Sequence, residues 1–163
     1  MSRTTIDYTT VIPERNIWVH ALTAVPPAEL LNLTASLSQD WQVRPKSIPQ
    51  VGLGMLKLND SAFEEPFYLG EFPLAAAWLE VRTDEGVIAE GAAQVMDDRQ
   101  ELAEALALCD AILAHRLPGW RRLAKVLTQG MAQREAMRQE RKQMLAGTQV
   151  DFSLLEDAGG DDA

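Results

Sequence analysis

Arg134, Arg138 and Arg141 are the residues whose type and spacing come nearest to chemistry in this chain. Steps of four and three put them on one side of a helix. Guanidinium forks match the oxygens of phosphates and carboxylates, so the row is a candidate anion or partner contact. Glu135 and Glu140 stand close enough to neutralise part of it through helix-surface pairs. Facing an acidic partner surface is as good a reading of the row as a phosphate site. Other chemistry is thin. His20 and His115 are the two histidines, far apart and outside any HExxH-type spacing, so no metal site is expected. Cys109 falls in an apolar stripe and reads as a core residue, where a thiolate is disfavoured. Gly52 and Gly54 lack the third glycine, the following helix and the Lys-Ser/Thr of a phosphate loop. The pairs Glu64-Glu65 and Asp97-Asp98 fit turns and helix caps better than acid-base catalysis. No catalytic residue is expected.

The elements that would carry these residues are legible from pattern. A helix is expected from about Pro13, a favoured first helical residue, with Ile17, Trp18, Ala21 and Leu22 at core spacing. Pro26-Pro27 interrupts it, and Leu30, Leu31, Leu33 and Leu37 continue inward as an αα-hairpin or one kinked helix. After Asp40 the pattern turns extended, with short strands expected at Trp41–Arg44 and Val51–Leu58, separated by Pro45 and Pro49. Asn59–Glu65 is a polar turn. A long strand follows over Phe67–Arg82, with a break or bulge expected at Gly70 and Pro73. Thr83–Gly86 makes a hairpin turn, and Val87–Met96 returns with Val87, Ala89, Gly91, Ala93 and Val95 on one face. Asp98 as N-cap and Glu101 three residues on predict a capped helix with Leu102, Leu106, Cys109, Ile112 and Leu113 in one stripe. Pro118-Gly119 ends it, and a last helix over Trp120–Leu145 is loosened at Gly130.

The long strand has an unusual property. Leu74, Ala76 and Trp78 alternate with Ala75, Ala77, Leu79 and Val81, so it has no wet face. One side can take the chain's own helices and the other asks for a second layer or a partner. Phe67, Tyr68, Leu74 and Trp78 are therefore interface candidates. Val150, Phe152 and Leu154 join them, being too apolar for a solvated end.

At 163 residues with 47% hydrophobic content, the chain is long enough for one well-formed core. The expected organisation is an arm at 1–12, one α+β domain at 13–147 and a docking tail with an acidic end at 148–163. That domain would hold N-terminal helices, an antiparallel three- to four-stranded sheet and two C-terminal helices. A net charge of −9 argues against nucleic-acid or acidic-membrane partners. The charge is uneven: 1–115 carries −10, 116–142 carries +6 and 143–163 carries −5. One cysteine excludes an intrachain disulfide. No apolar run approaches the ~20 residues of a membrane span, and the start lacks a secretory signal, so a cytoplasmic protein is expected.

Taken in order, Glu14–Leu31, Val51–Leu58, Pro66–Glu71, Gly86–Asp98, Glu104–Leu113 and Gln133–Asp157 form a recognisable series. It ends on Ala146, Thr148, Val150, Asp151 and Phe152. The series resembles the PhnG family of the bacterial carbon–phosphorus lyase system. The stretch Lys57–Glu65, acidic and free of glycine, departs from the family's usual glycine-rich basic segment, as Ala75–Ala77 does from its polar one. The resemblance implies a small α+β component of a larger complex, without an active site of its own. Its partners would be the carbon–phosphorus lyase components PhnH, PhnI, PhnJ and PhnL, with PhnI the direct contact. It would support the step in which a phosphonate displaces adenine from MgATP to give a ribose 1-phosphonate 5-triphosphate. No cofactor would be bound by this chain; MgATP would be used by the complex. Two other classes fit the residues alone: a stand-alone α+β domain holding an acidic small molecule, and a homodimeric structural protein.

Overall fold

The computed structural model describes residues 12–147. Helix α1 (Arg15–Leu22) starts two residues after Pro13, held there by the Trp18 indole, whose Nε1 donates to the Pro13 carbonyl at 2.8 Å. It stops at Thr23, and α2 (Pro27–Leu37) begins with proline at its first position, so Pro26-Pro27 separates two helices rather than kinking one. Trp18, Ala21, Leu22 and Leu30 are buried, while Ile17, Leu33 and Leu37 pack partly against the core.

Three antiparallel strands follow, in the order β1 (Gln42–Asn59), β2 (Pro66–Arg82) and β3 (Ile88–Val95). The two short strands expected after Asp40 are one strand of 18 residues. Pro45 and Pro49 do not divide it, because β1 lies at the edge of the sheet, where a residue without an N–H is tolerated. The register slips between Pro45 and Ser47 and between Ser47 and Gln50, which absorbs both prolines in bulges. On β2 the break expected at Gly70 and Pro73 is a single bulge at Leu69; Pro73 pairs in register with Leu53. The β2–β3 turn closes as expected, with Gly86 at φ 83° and the Thr83 N–H bonded to the Val87 carbonyl at 2.9 Å.

Helix α3 (Gln100–His115) is the centre of the molecule, buried on nearly all sides between the sheet and the other helices. Gly91 lets it come close. A Cβ on that residue would lie 2.1 Å from the Ala107 carbonyl oxygen and 2.5 Å from the Ala111 nitrogen. Leu106, Ile112 and Leu113 are fully buried on this helix, each stabilising the fold by about 1.5–3 kcal/mol. The expected Asp98 cap is not made. Arg99 is the N-cap, and the Asp97 carboxylate accepts the Arg99 backbone N–H at 2.9 Å and its guanidinium at 2.7 and 2.6 Å. That local turn takes the chain into the helix one residue later. At the other end Arg116 adopts the left-handed conformation, φ 50°, and the Leu117 N–H returns to the Ile112 carbonyl at 3.0 Å, burying Leu117 beneath the turn.

Helix α4 (Trp120–Ala146) packs on α1 and α3 through Leu123, Ala124, Leu127 and Gly130. Gly130 is no loosening. It is buried, and a Cβ there would stand 2.1 Å from the Ala21 carbonyl oxygen, so its absence lets α1 and α4 cross closely. Beyond Arg134 every described residue is exposed, Met137 and Met144 included, so this end of the helix extends past the body. Among the described residues no helix is long and apolar enough to cross a membrane.

Candidate functional site

Strand β2 has its two faces in different surroundings. Ala75, Ala77, Leu79 and Val81 lie under α3, and all four are buried. Leu74, Ala76 and Trp78 look the other way, and Trp78 is 44% exposed. No element among the described residues covers that face. Its centre is a shallow concavity of about 400 Å³, floored by Ala76 and Ala92 and walled by Trp78, Gln50 and Gln94.

A small polar cluster fixes the tryptophan. The bulge after Pro45 turns Lys46 over the sheet, where Nζ stands 2.9 Å from Glu90 Oε1 and 5.6 Å from the centre of the Trp78 ring. The Trp78 indole Nε1 donates to Glu90 Oε2 at 3.1 Å. The hydrogen bond with Glu90 raises the Lys46 pKa, and the same bond, from the other side, lowers that of Glu90. Both groups are exposed to water, so the cluster orients Trp78 more than it stabilises the fold.

Past Val51 the sheet becomes a ribbon. Strand β3 ends opposite Ala75, while β1 and β2 remain paired out to Asn59 and Pro66. The pairing places Leu58 and Phe67, Leu56 and Gly70, and Gly54 and Phe72 on the Trp78 side, with Phe72 filling the space over Gly54. Leu53 and Met55 stand on the reverse side by alternation, and Tyr68 joins them because the Leu69 bulge shifts β2 by one residue. All of these residues except Gly54 and Phe72 are exposed; Leu53, Met55 and Tyr68 reach 60% or more. Among the described residues nothing forms a core beneath either face of the ribbon.

The interface candidates thus share one strand: Phe67, Leu74 and Trp78 on one face of β2, and Tyr68 on the other. Val150, Phe152 and Leu154 lie outside the described residues. The arginine row divides. Arg134 turns back onto α1, its Nε donating to the His20 carbonyl at 2.8 Å and its Nη2 to Thr23 Oγ1 at 2.9 Å, where it meets the negative end of that helix. Arg138 lies 4.0 Å from Glu135 and is largely exposed, as is Arg141. Cys109 is wholly buried, and burial pushes its thiol pKa far up.

Sequence reasoning missed Asp110. It is buried in the most buried helix, where the Arg15 guanidinium bonds both of its oxygens and the Ala92 backbone N–H donates to Oδ2 at 2.9 Å. The one signal was an acid beside Cys109 in an apolar run; its partner stands 95 residues away. Lys46 was missed for a similar reason, since its partners are set by a bulge.

Two comparisons bear on this geometry. The family model described as phosphonate metabolism protein PhnG matches residues 13–156. No curated protein matches the chain.

Proposed function

The chain belongs to the phosphonate metabolism protein PhnG family, and from that premise we propose that it is the PhnG component of a carbon–phosphorus lyase assembly, contributing surface rather than catalytic groups. In this reading it acts with PhnH, PhnI and PhnL where a phosphonate oxygen attacks C1′ of MgATP, the bond to adenine breaks, and adenine leaves with a proton. PhnI is its direct contact and carries that chemistry, and PhnJ later cleaves the carbon–phosphorus bond. The chain binds no cofactor itself, and MgATP belongs to the assembly.

The observation that carries the reading is the ribbon. Contiguous exposed apolar surface of this kind marks interaction sites in proteins that are otherwise well packed. A two-stranded hairpin with no core on either side is marginal in water, and a partner surface would supply what it lacks. The stand-alone anion-binding alternative loses support because Arg134 already serves α1.

The test is reconstitution. PhnH, PhnI and PhnL are incubated with MgATP and methylphosphonate, with and without this chain, and free adenine is measured. Adenine release is expected only when the chain is present and co-elutes with PhnI. Full release without it, or a chain that elutes alone from every mixture, would refute the proposal.

A further inference from the structure

We infer that the outer edge of β1 between Val51 and Leu58 is a strand-addition site for an extended, basic-flanked apolar segment of another protein in the complex; the inference rests on the assembly reading above. Among the described residues strand β1 pairs only with β2, so that none of them covers its other edge. Such edges are guarded in proteins by proline, lysine, bulges or short length. The first half of β1 has three of these guards: Pro45 and Pro49, Lys46, and two register slips. From Val51 only one such guard remains, Lys57 near the end of the strand. The run has no proline, one charged residue in Lys57, and unbroken pairing with β2 as far as Leu56. It offers unpaired backbone donors and acceptors over eight residues, about 26 Å. The opposite edge of the ribbon is different, being bracketed by Pro66 and Pro73 and interrupted by the Leu69 bulge.

Charge selects the occupant. Between Val51 and Pro73 the ribbon carries Asp60, Glu64, Glu65 and Glu71 against Lys57, a net of −3. A second copy would set that surface against its like, on chains of −9 each. A segment with alternating apolar side chains and flanking Lys or Arg is complementary on both counts, backbone bonds supplying affinity and charge supplying selection.

Amide hydrogen exchange of the full chain, free and in complex with co-expressed PhnH, PhnI and PhnJ, reads the edge directly. Alternate amides within Val51–Leu58 should slow by at least about 10-fold on assembly, the equivalent of one weak hydrogen bond. The double variant L53K/M55K adds charges at two exposed positions of the edge strand. It should keep the native circular dichroism spectrum and lose the complex. A complex that forms without new protection at Val51–Leu58, or that tolerates the double variant, overturns the strand-addition site and leaves the assembly reading standing. Concentration-dependent protection of the same amides in the free chain assigns the edge to a second copy and overturns the partner. Failure of any complex to form overturns both.

Discussion

Replacing Gly91 with alanine should damage the fold more than its size implies. An added Cβ would sit 2.1 Å from the Ala107 carbonyl oxygen, 2.5 Å from the Ala111 nitrogen and 2.8 Å from the Ala111 Cβ. Two of these neighbours are backbone of a helix wedged between a sheet and three other helices, so neither can rotate away. Relief requires α3 to retreat from β3 by about 1 Å, a gap that forfeits a quarter to a half of each contact it opens. Overpacking in cores costs about 1–3 kcal/mol, and the rigid neighbours here place Gly91→Ala near the top of that range. For a chain of this size about 3 kcal/mol lowers Tm by roughly 6–12 °C. Circular dichroism at 222 nm on heating is sufficient to read it. Gly52→Ala is the control, because nothing lies within 4 Å of its added Cβ. It should leave Tm unchanged or raise it slightly, through a less flexible unfolded chain. A Gly91→Ala protein melting within about 1 °C of the parent would refute the close helix–sheet contact, since about 1 °C is well under 1 kcal/mol here.

Two further outcomes are expected. Arg134→Ala removes two hydrogen bonds that tie α4 to the end of α1 and should lower stability by about 1–2 kcal/mol. Arg138→Ala, which leaves only a 4.0 Å exposed pair, should change it by less than about 0.5 kcal/mol; equal effects in urea denaturation would dismiss the tether. Asp97 has its carboxyl lowered to about 2, chiefly by the Arg99 hydrogen bonds. Its folded pKa is depressed, so its stabilisation is complete above the unfolded value of about 4 and is lost as pH falls through that value toward 2. The difference in urea midpoint between the parent and Asp97→Asn should therefore shrink between pH 5 and pH 2, and a difference that stays constant would rule the pair out as its source.

What the sequence disclosed depended on how local the cause was. Helix positions, the Gly86 turn and the inward alternation of Ala89, Gly91, Ala93 and Val95 rest on residues within a few positions of one another and appear where pattern places them, although Val87 and Met96, expected in that strand, lie exposed just outside β3. Pro45 and Pro49 misled because a proline reads as a break unless the strand is known to be an edge, which is a property of the sheet. Gly130 misled for the opposite reason: its helical cost is local, whereas the crossing with Ala21 that requires it is tertiary. The two-sided apolar character of Pro66–Arg82 was visible from alternation alone. That α3 covers one face and nothing described covers the other was not, because coverage depends on where remote elements return. Arg134, Arg138 and Arg141 show the same limit. Helical spacing put them on one side, but the nearness of the His20 carbonyl separated the first from the others.

Asp110 has a consequence for where the sheet can accept a neighbour. Its Oδ2 occupies the Ala92 N–H on the side of β3 away from β2, and Arg15 of α1 holds it there. At Ala92 the border along β3 is thereby occupied from within, while among the described residues the border along β1 is unpaired. A strand arriving at that position would have to displace the carboxylate and leave it buried without this partner. The two borders are therefore unequal, and a joining strand has less to displace along β1 than at Ala92.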